Sequence, residues 1–271
     1  GAVPREGIAA LDPVNGLPLS WNPGRDRGVG AFALVSTPAG LWIGSDTDRI
    51  GRFEYHGRIA FMPVEGGSAV PEPRVGAVPG ELYRMDLTGA MEHRGYDGTT
   101  FGAPTSVPGV DWTQARGAFM VSGKLYTGWS DNNLYVRDFD GATAGAATAL
   151  NLAGVNTSTN FPVNRVTGMF FEPSSGRLYY TLSADARLFY RYFTPESGVV
   201  GAETFTASAT GWSTVSGMTL ASGKLYFATS AGNLSAVDFA GGVPSGSATV
   251  LSGPAVDGQS WQSRGLFVLA T

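Results

Sequence analysis

RGAFMVSGKLYTGWSDNNLYVRDFDG, residues 116–141, reads as three short strands joined by two tight turns. Gly117–Val121 is apolar, and Ser122-Gly123 is a turn. Lys124–Trp129 forms a second strand, 130–133 a second turn, and 134–139 a third strand. Short runs rich in Tyr, Phe, Val and Leu, separated by Gly, Ser, Asn and Asp, predict strands and hairpins.

The unit recurs. Leu125-Tyr126 in KLYTGW is matched by Leu178-Tyr179 in RLYYTL and Leu225-Tyr226 in KLYFAT, at spacings of about 50 residues. The first strand recurs with it, as Gly117-Ala118-Phe119, Gly168-Met169-Phe170, Gly217-Met218 and Gly265-Leu266-Phe267. A few positions ahead of these stand Trp112, Phe161, Trp212 and Trp261. Two further copies lie upstream. Leu82-Tyr83 and Asp97-Gly98 keep the spacing of Leu125-Tyr126 and Asp140-Gly141, with a weak first strand around 75–78. The other copy starts at Gly30-Ala31-Phe32 and has 41–44 as its second strand. It reaches a third strand, 59–64, only after a long loop, 46–58.

A period of this length with several strands and no helical pattern predicts a radial repeat architecture, because one small sheet cannot bury both faces alone. Residues 8–12 and 17–21 read as a third and a fourth strand around an Asn15-Gly16 turn. Residues 261–270 supply a first strand with nothing after it. Joined, the two ends would make most of one blade, with its second strand supplied by residues 2–5 or from upstream, and leave no raw sheet edge. The expected fold is therefore all-β: a β-propeller of about six blades, five or seven being the nearest alternatives, with the last blade closed by N- and C-terminal strands. It fills a single domain, 1–271. The blades fall at about 28–70, 74–110, 112–158, 161–209 and 212–253, with 261–271 plus 5–21 as the shared one.

Composition fits this. There are 39 glycines and 16 prolines among 271 residues, yet 43% of the chain is hydrophobic, which means many turns around a substantial core. Only 15% is charged and the net charge is −4, which argues against nucleic-acid phosphates or a polybasic membrane contact. No apolar run approaches the roughly 18–20 residues that span a bilayer. The absence of cysteine excludes disulfides, thiol nucleophiles and thiolate metal sites. Gly1 reads as the residue left by processing, with the natural chain expected to continue upstream.

IAALDPVNGLPLSW and LWIGSDTDRIGRFEYHGRIAFMPVEGG resemble the delta-sixty-type β-propeller-like repeats of actinobacterial secreted and surface proteins. RGYDGTTFGAP, GWSDNNLYVRDFDG, RLYYTLSADARLFYRYFTPESG and VDFAGG are similar to the later part of those regions. The likeness spans nearly the whole chain and brings no catalytic motif with it. It implies a large extracellular protein, often with malectin-like domains and immunoglobulin-like domains of the polycystic-kidney-disease type alongside.

The loop 45–58 is where the repeat gains material, and insertions in repeat proteins gather on binding faces. It carries Asp46, Asp48, Arg49, Arg52, Glu54, Tyr55, His56 and Arg58. Mixed acids, arginines and an aromatic suit a polar ligand such as a sugar; they equally suit a self-satisfied cluster that holds the loop. Trp42 and Trp129 break the repeat pattern and are the candidate sugar-stacking residues. Trp112, Trp212 and Trp261 recur in place and read as wedges between blades. Asp46, Asp48 and Asp131 could offer oxygen ligands to calcium, although such triplets in sheet proteins are usually turn formers. His93 reads as a rim residue.

No phosphate loop, nucleophile elbow or zinc helix stands in the chain. The expectation is a non-enzymatic module for recognition, scaffolding or adhesion, extracellular or cell-surface, binding carbohydrate (a glycan) or an extracellular protein through loops on one face. No cofactor beyond calcium is expected. The isolated domain would be monomeric, within a larger chain and without membrane insertion. The alternatives are a carbohydrate-active hydrolase or lyase with an axial active site, and a structural spacer without ligand.

Overall fold

A computed structural model describes residues 3–51, 54–55, 57–67 and 69–270, with backbone alone at 54 and 55. The described residues form β-strands, one 3-10 turn at Val163–Arg165 and no α-helix. The chain divides into two compact units, Pro73–Thr271 and Ala2–Glu72.

In the larger unit four antiparallel sheets carry the repeat. The first runs Gly265–Val268, Gly80–Met85, Met91–Tyr96, Thr105–Val107. The second runs Ala115–Val121, Lys124–Trp129, Leu134–Asp138, Thr148–Ala149. The third runs Val166–Glu172, Arg177–Leu182, Leu188–Thr194, with Phe205–Ser208 and Val199–Val200 both on its third strand. The fourth runs Val215–Ala221, Lys224–Thr229, Leu234–Ala240, Val243–Ser252. The first-to-second turns are tight because Ser122-Gly123 and Ser222-Gly223 all take positive φ, matching the twist of the strands they join.

Four hydrophobic clusters lie between consecutive sheets and close a circle. Tyr83, Met120, Phe139 and Phe267 fill the space between the first and second sheets. Phe119, Tyr126, Met169 and Phe193 fill the next. Phe170, Tyr179, Met218 and Phe239 fill the third, and Tyr96, Tyr226, Leu266 and Val268 return from the fourth sheet to the first. Trp112, Phe161, Trp212 and Trp261 each stand in a different one of these clusters, all 7% exposed or less. They wedge the sheets apart at fixed angles. The first strands meet so closely that only glycine fits at one position of each. A Cβ on Gly117 would lie 2.8 Å from Val166, one on Gly168 2.9 Å from Met218, one on Gly217 3.0 Å from Leu266 and one on Gly265 2.8 Å from Ala118. That sequence of neighbours returns to its start, which is the radial arrangement of a propeller.

The expected closure by residues 5–21 is not how the circle shuts. Gly265–Val268 pairs with Gly80–Met85, so the C-terminal strand supplies the first strand that the 74–110 repeat lacks. Residues 75–78 are not a strand. The physical reason is pattern: Gly-Leu-Phe-Val can be buried on both faces, whereas Val75–Val78 ends against Pro79, which offers no ladder donor. Four sheets thus close the circle within residues 73–270, where about six blades across the whole chain are expected.

In the smaller unit, residues 10–19 fold back on themselves through the Leu11–Pro18 bridge. One three-stranded sheet joins Ala31–Thr37, Gly40–Ser45 and Ile59–Pro63 around Ile43, Ile50 and Ala60. Its first strand has an extra residue opposite Gly44–Ser45, so Ala33, not Gly30, stands where the other sheets place glycine. Phe32, Leu34 and Val35 are exposed.

Candidate functional site

In three of the four sheets the residue ahead of the first-strand glycine sits where the strand bulges. Two residues of one strand then face one of its partner, and the extra side chain is turned away from the sheet. The register slips between Val166 and Gly168, between Val215 and Gly217, and opposite Thr127 and Trp129 in the second sheet. The side chains so released belong to Thr167, Ser216 and Arg116, with Arg264 ahead of Gly265 as the fourth. All four line one cavity of about 300 Å³ where the first strands begin, at one mouth of the ring. Ser213, Thr214, Ser183 and Ser263 complete a wall of hydroxyls. The ionisable groups among the described lining residues are Arg116 and Arg264.

The two arginines stand on adjacent strands. The Gly117 amide donates to the Arg264 carbonyl at 2.7 Å. Arg116 Nη1 donates to the Ala115 carbonyl at 2.7 Å, and Arg264 Nε and Nη2 donate to the Leu87 carbonyl at 3.4 and 3.3 Å. These bonds anchor one side of each guanidinium. Among the described residues, Arg116 Nε and Nη2 and Arg264 Nη1 meet no acceptor, and neither arginine has a carboxylate in ion-pair contact. Burial, and then the charge of Arg264, hold the Arg116 guanidinium below its ordinary value. The hydroxyls are partly engaged: Ser263 Oγ donates to the Ser216 carbonyl at 2.8 Å, and Thr167 pairs with Thr181 at 2.9 Å. The mouth is therefore a positively charged recess lined by donors.

A larger groove, about 450 Å³, lies between the fourth and first sheets beside Tyr96, Asp97, Lys224, Tyr226 and Asp238. Its charged groups are already partnered, while the hydroxyls of Tyr226, Ser247 and Thr249 stand along its wall. Lys224 pairs with Asp238, and the Tyr96 hydroxyl donates to the Gly98 carbonyl at 2.9 Å. Asp97 accepts from the amides of Thr100 and Thr99, each at 2.7 Å.

The residues expected at the ligand stand as follows. Asp46 accepts from the Val29 amide at 2.8 Å, and this bond holds its carboxyl below the usual range. Asp48 pairs with Arg27 at 2.7 Å. Arg49 and Arg58 are exposed, and Arg58 takes φ 75° while its carbonyl accepts from Ser45. The backbone of Glu54 and Tyr55 pairs with Arg49-Ile50; their side chains, with Arg52 and His56, lie outside the described residues. Trp42 is 46% exposed and packs on Phe61 at 4.6 Å. Trp129 lies edge-on to Trp112 at 6.2 Å with the Arg137 guanidinium over both rings. Asp131 accepts from the Asn133 amide at 3.0 Å and the Tyr135 hydroxyl at 2.7 Å, the bonds of a turn former. Among the described residues no three His, Asp or Glu side chains gather as a metal site would require. His93 meets Glu81 at 2.7 Å and stacks on Tyr83.

Sequence reasoning passed over Arg116, Thr167, Ser216 and Arg264. The signal was there: they occupy one repeat position, directly before glycines already aligned.

No family model and no curated protein matches the chain. Among solved structures it is similar to glutaminyl cyclase from Myxococcus xanthus, at 16% identity over 73% of this chain and 85% of that one, with a TM-score of 0.37. A nidogen/laminin complex matches at 12% identity over 87% of this chain and 97% of that one, TM-score 0.35. A calcium-binding regucalcin from Agrobacterium tumefaciens matches at 12% identity over 66% and 74%, TM-score 0.36. Similarities this low bear on no activity, and the fold stands on the strand pairing and packing described above.

Proposed function

We propose that this chain is a non-enzymatic recognition module of an extracellular protein, that residues 73–270 form a complete four-bladed propeller, and that the ligand is held at the mouth of its axis. One observation carries the proposal: unpartnered guanidinium N–H groups of two arginines face a recess lined by Ser and Thr. Arginine stays charged across the working pH range, and an unassisted hydroxyl exchanges no proton near neutrality. Groups of this kind hold and orient a ligand; acid–base work needs a group poised near the working pH. The carbohydrate-active reading would need two carboxylates across a cleft, which is not the chemistry of this lining.

The test is a glycan-array screen of the full chain beside two variants, Arg116→Ala/Arg264→Ala and Asp46→Ala. Binding lost in the first and kept in the second supports recognition at the mouth. Binding that survives the arginine changes and disappears with Asp46 would move the site to the 45–58 loop and end the proposal.

A further inference from the structure

We infer that the axial mouth selects an oxyanion, either the carboxylate of an acidic sugar or a sulfate or phosphate group, gripped between Arg116 and Arg264. This inference rests on the reading of the mouth as the binding site and adds the class of ligand.

The argument begins with the repeat. At the position ahead of the first-strand glycine, two sheets carry small hydroxyl residues, Thr167 and Ser216, and two carry arginine. The arginines belong to neighbouring sheets, so the ring has a cationic half and a hydroxyl half. Arg264 and Arg116 are joined through their own backbones by the Gly117 amide. Each guanidinium is anchored to main-chain carbonyls, which fixes its plane; the Nε–Nη2 edge of Arg116 is left as a donor fork, and at Arg264 the Nη1 end is left free. The two guanidiniums repel each other, with Asp111 acting on Arg264 through its charge and no carboxylate in ion-pair contact among the described residues, and both are partly buried. An anion between them supplies the missing charge and the missing acceptors together, in the bidentate manner that guanidinium and oxyanion geometry favour. The burial that disfavours the Arg116 charge also keeps the local dielectric low, so that an incoming anion is held more strongly than on open surface.

Size narrows the ligand further. A recess of about 300 Å³ stands at the lower end of small-ligand sites, roughly 300–1,000 Å³. It has room for one charged sugar residue or a chain end. The hydroxyl half, with Ser213, Thr214 and Ser216, can meet the neutral hydroxyls of that residue while the arginines take its charge.

Three probes separate the sources: galacturonate for a carboxylate, galactose 6-sulfate for a sulfate ester, and inorganic phosphate. Methyl galactoside is the neutral control. Binding is followed on the full chain at low ionic strength by calorimetry and by the arginine Nε–H resonances of Arg116 and Arg264. At least one anionic probe is expected to move both resonances and to bind at least tenfold more tightly than methyl galactoside. Arg116→Lys, which keeps the charge and loses the fork, should weaken that binding about tenfold. Arg116→Ala/Arg264→Ala should abolish it, while Lys124→Ala, a cation outside the mouth, should leave it unchanged. Equal binding of methyl galactoside and the acidic probes, lost in the double variant, would overturn the anion inference yet keep the mouth as the site. Probes that leave both arginine resonances unmoved at millimolar concentration would overturn the anion inference too. A glycan retained by the double variant would overturn both readings.

Discussion

Replacing Phe267 with alanine tests the closure of the ring at the pairing the sequence did not suggest. Phe267 is wholly buried, stacked on Tyr83 at 4.9 Å and edge-on to Phe139 at 5.7 Å. It therefore spans both the strand pairing with Gly80–Met85 and the contact between the first and second sheets. Losing the ring removes about 2–3 kcal/mol of apolar transfer. It also removes two aromatic pairs worth about 0.5–1.5 kcal/mol each. The total, about 4 kcal/mol, falls within the roughly 3–5 kcal/mol typical of Phe→Ala in a core. Urea unfolding read by tryptophan emission measures it. Trp112, Trp129, Trp212 and Trp261 lie in the ring unit, so a Trp21→Phe/Trp42→Phe background makes the signal specific to it. With a slope near 2 kcal/mol/M, the midpoint should fall by about 2 M. A loss under about 1 kcal/mol would mean that the C-terminal strand does not close the ring, and the reasoning fails. A covalent check is available because the chain has no cysteine. Leu266 and Arg84 are directly opposed, and Cα atoms so placed lie about 4.5–5.5 Å apart, within reach of a disulfide. Leu266→Cys/Arg84→Cys should cross-link within one chain on oxidation.

Arg191 is wholly buried and donates to the carbonyls of Gly201 and Ala202, each at 2.9 Å, with its guanidinium over Phe161; Arg191→Met should cost about 3 kcal/mol by orphaning several acceptors, and a loss below about 1 kcal/mol in urea melts would count against that network. The amides of Thr100 and Thr99, helped by their hydroxyls, hold the Asp97 carboxyl well below its ordinary value. A folded pKa below the unfolded one, about 3.9, gives stability that is present above that value and is lost as pH falls toward the folded pKa, so acid should weaken the ring only below about pH 4. Carboxyl NMR showing Asp97 titrating at the ordinary value would contradict this. Burial pushes the Tyr126 phenol up to about 12. Burial, with the charges of Glu81 and Asp140, pushes Tyr83 to about 12 as well. A raised folded pKa gives stability that is complete below the unfolded value, about 10, and is lost as pH climbs toward about 12. Ultraviolet titration of the folded protein should therefore leave at least two tyrosines un-ionised at pH about 11; full ionisation there, with the sheets intact, would refute their burial.

The inner part of each sheet was legible because burial on both faces writes itself as apolar pattern. Leu82-Tyr83, Leu125-Tyr126, Leu178-Tyr179 and Leu225-Tyr226 align as second strands by sequence and pair alike in the sheets. The outer strands were not legible. Thr148-Ala149 is exposed, and 243–252 is mostly so, reading as Val-Pro-Ser-Gly-Ser-Ala-Thr-Val-Leu-Ser. An edge strand needs neither strong apolar alternation nor β-propensity, since one flank of its ladder faces water. The closure was misread for a related reason. Residues 8–21 look like strands in composition, but their pairing among the described residues is local, Leu11 with Pro18 around Asn15-Gly16.

Candidate ligands were sought where the repeat gains residues, on the view that insertions carry function. Loop 45–58 attracts that attention by its charge, yet Asp46 and Asp48 are spent on holding local backbone and Arg27. Charges in an insertion must first stabilise the insertion, so their density says little about what they can offer a ligand. A bulge in a conserved frame works the other way. Gly117, Gly168, Gly217 and Gly265 are required by close packing of the first strands, and that packing leaves the preceding residue free of the core. What stands there answers to the hydrogen bonds of the mouth rather than to the packing of the core. Arginine at two of the four positions, adjacent around the ring and unpaired by acids among the described residues, is a choice that packing does not explain. In a closed repeat, the positions to examine first are those where the frame is strictest and the neighbouring residue varies.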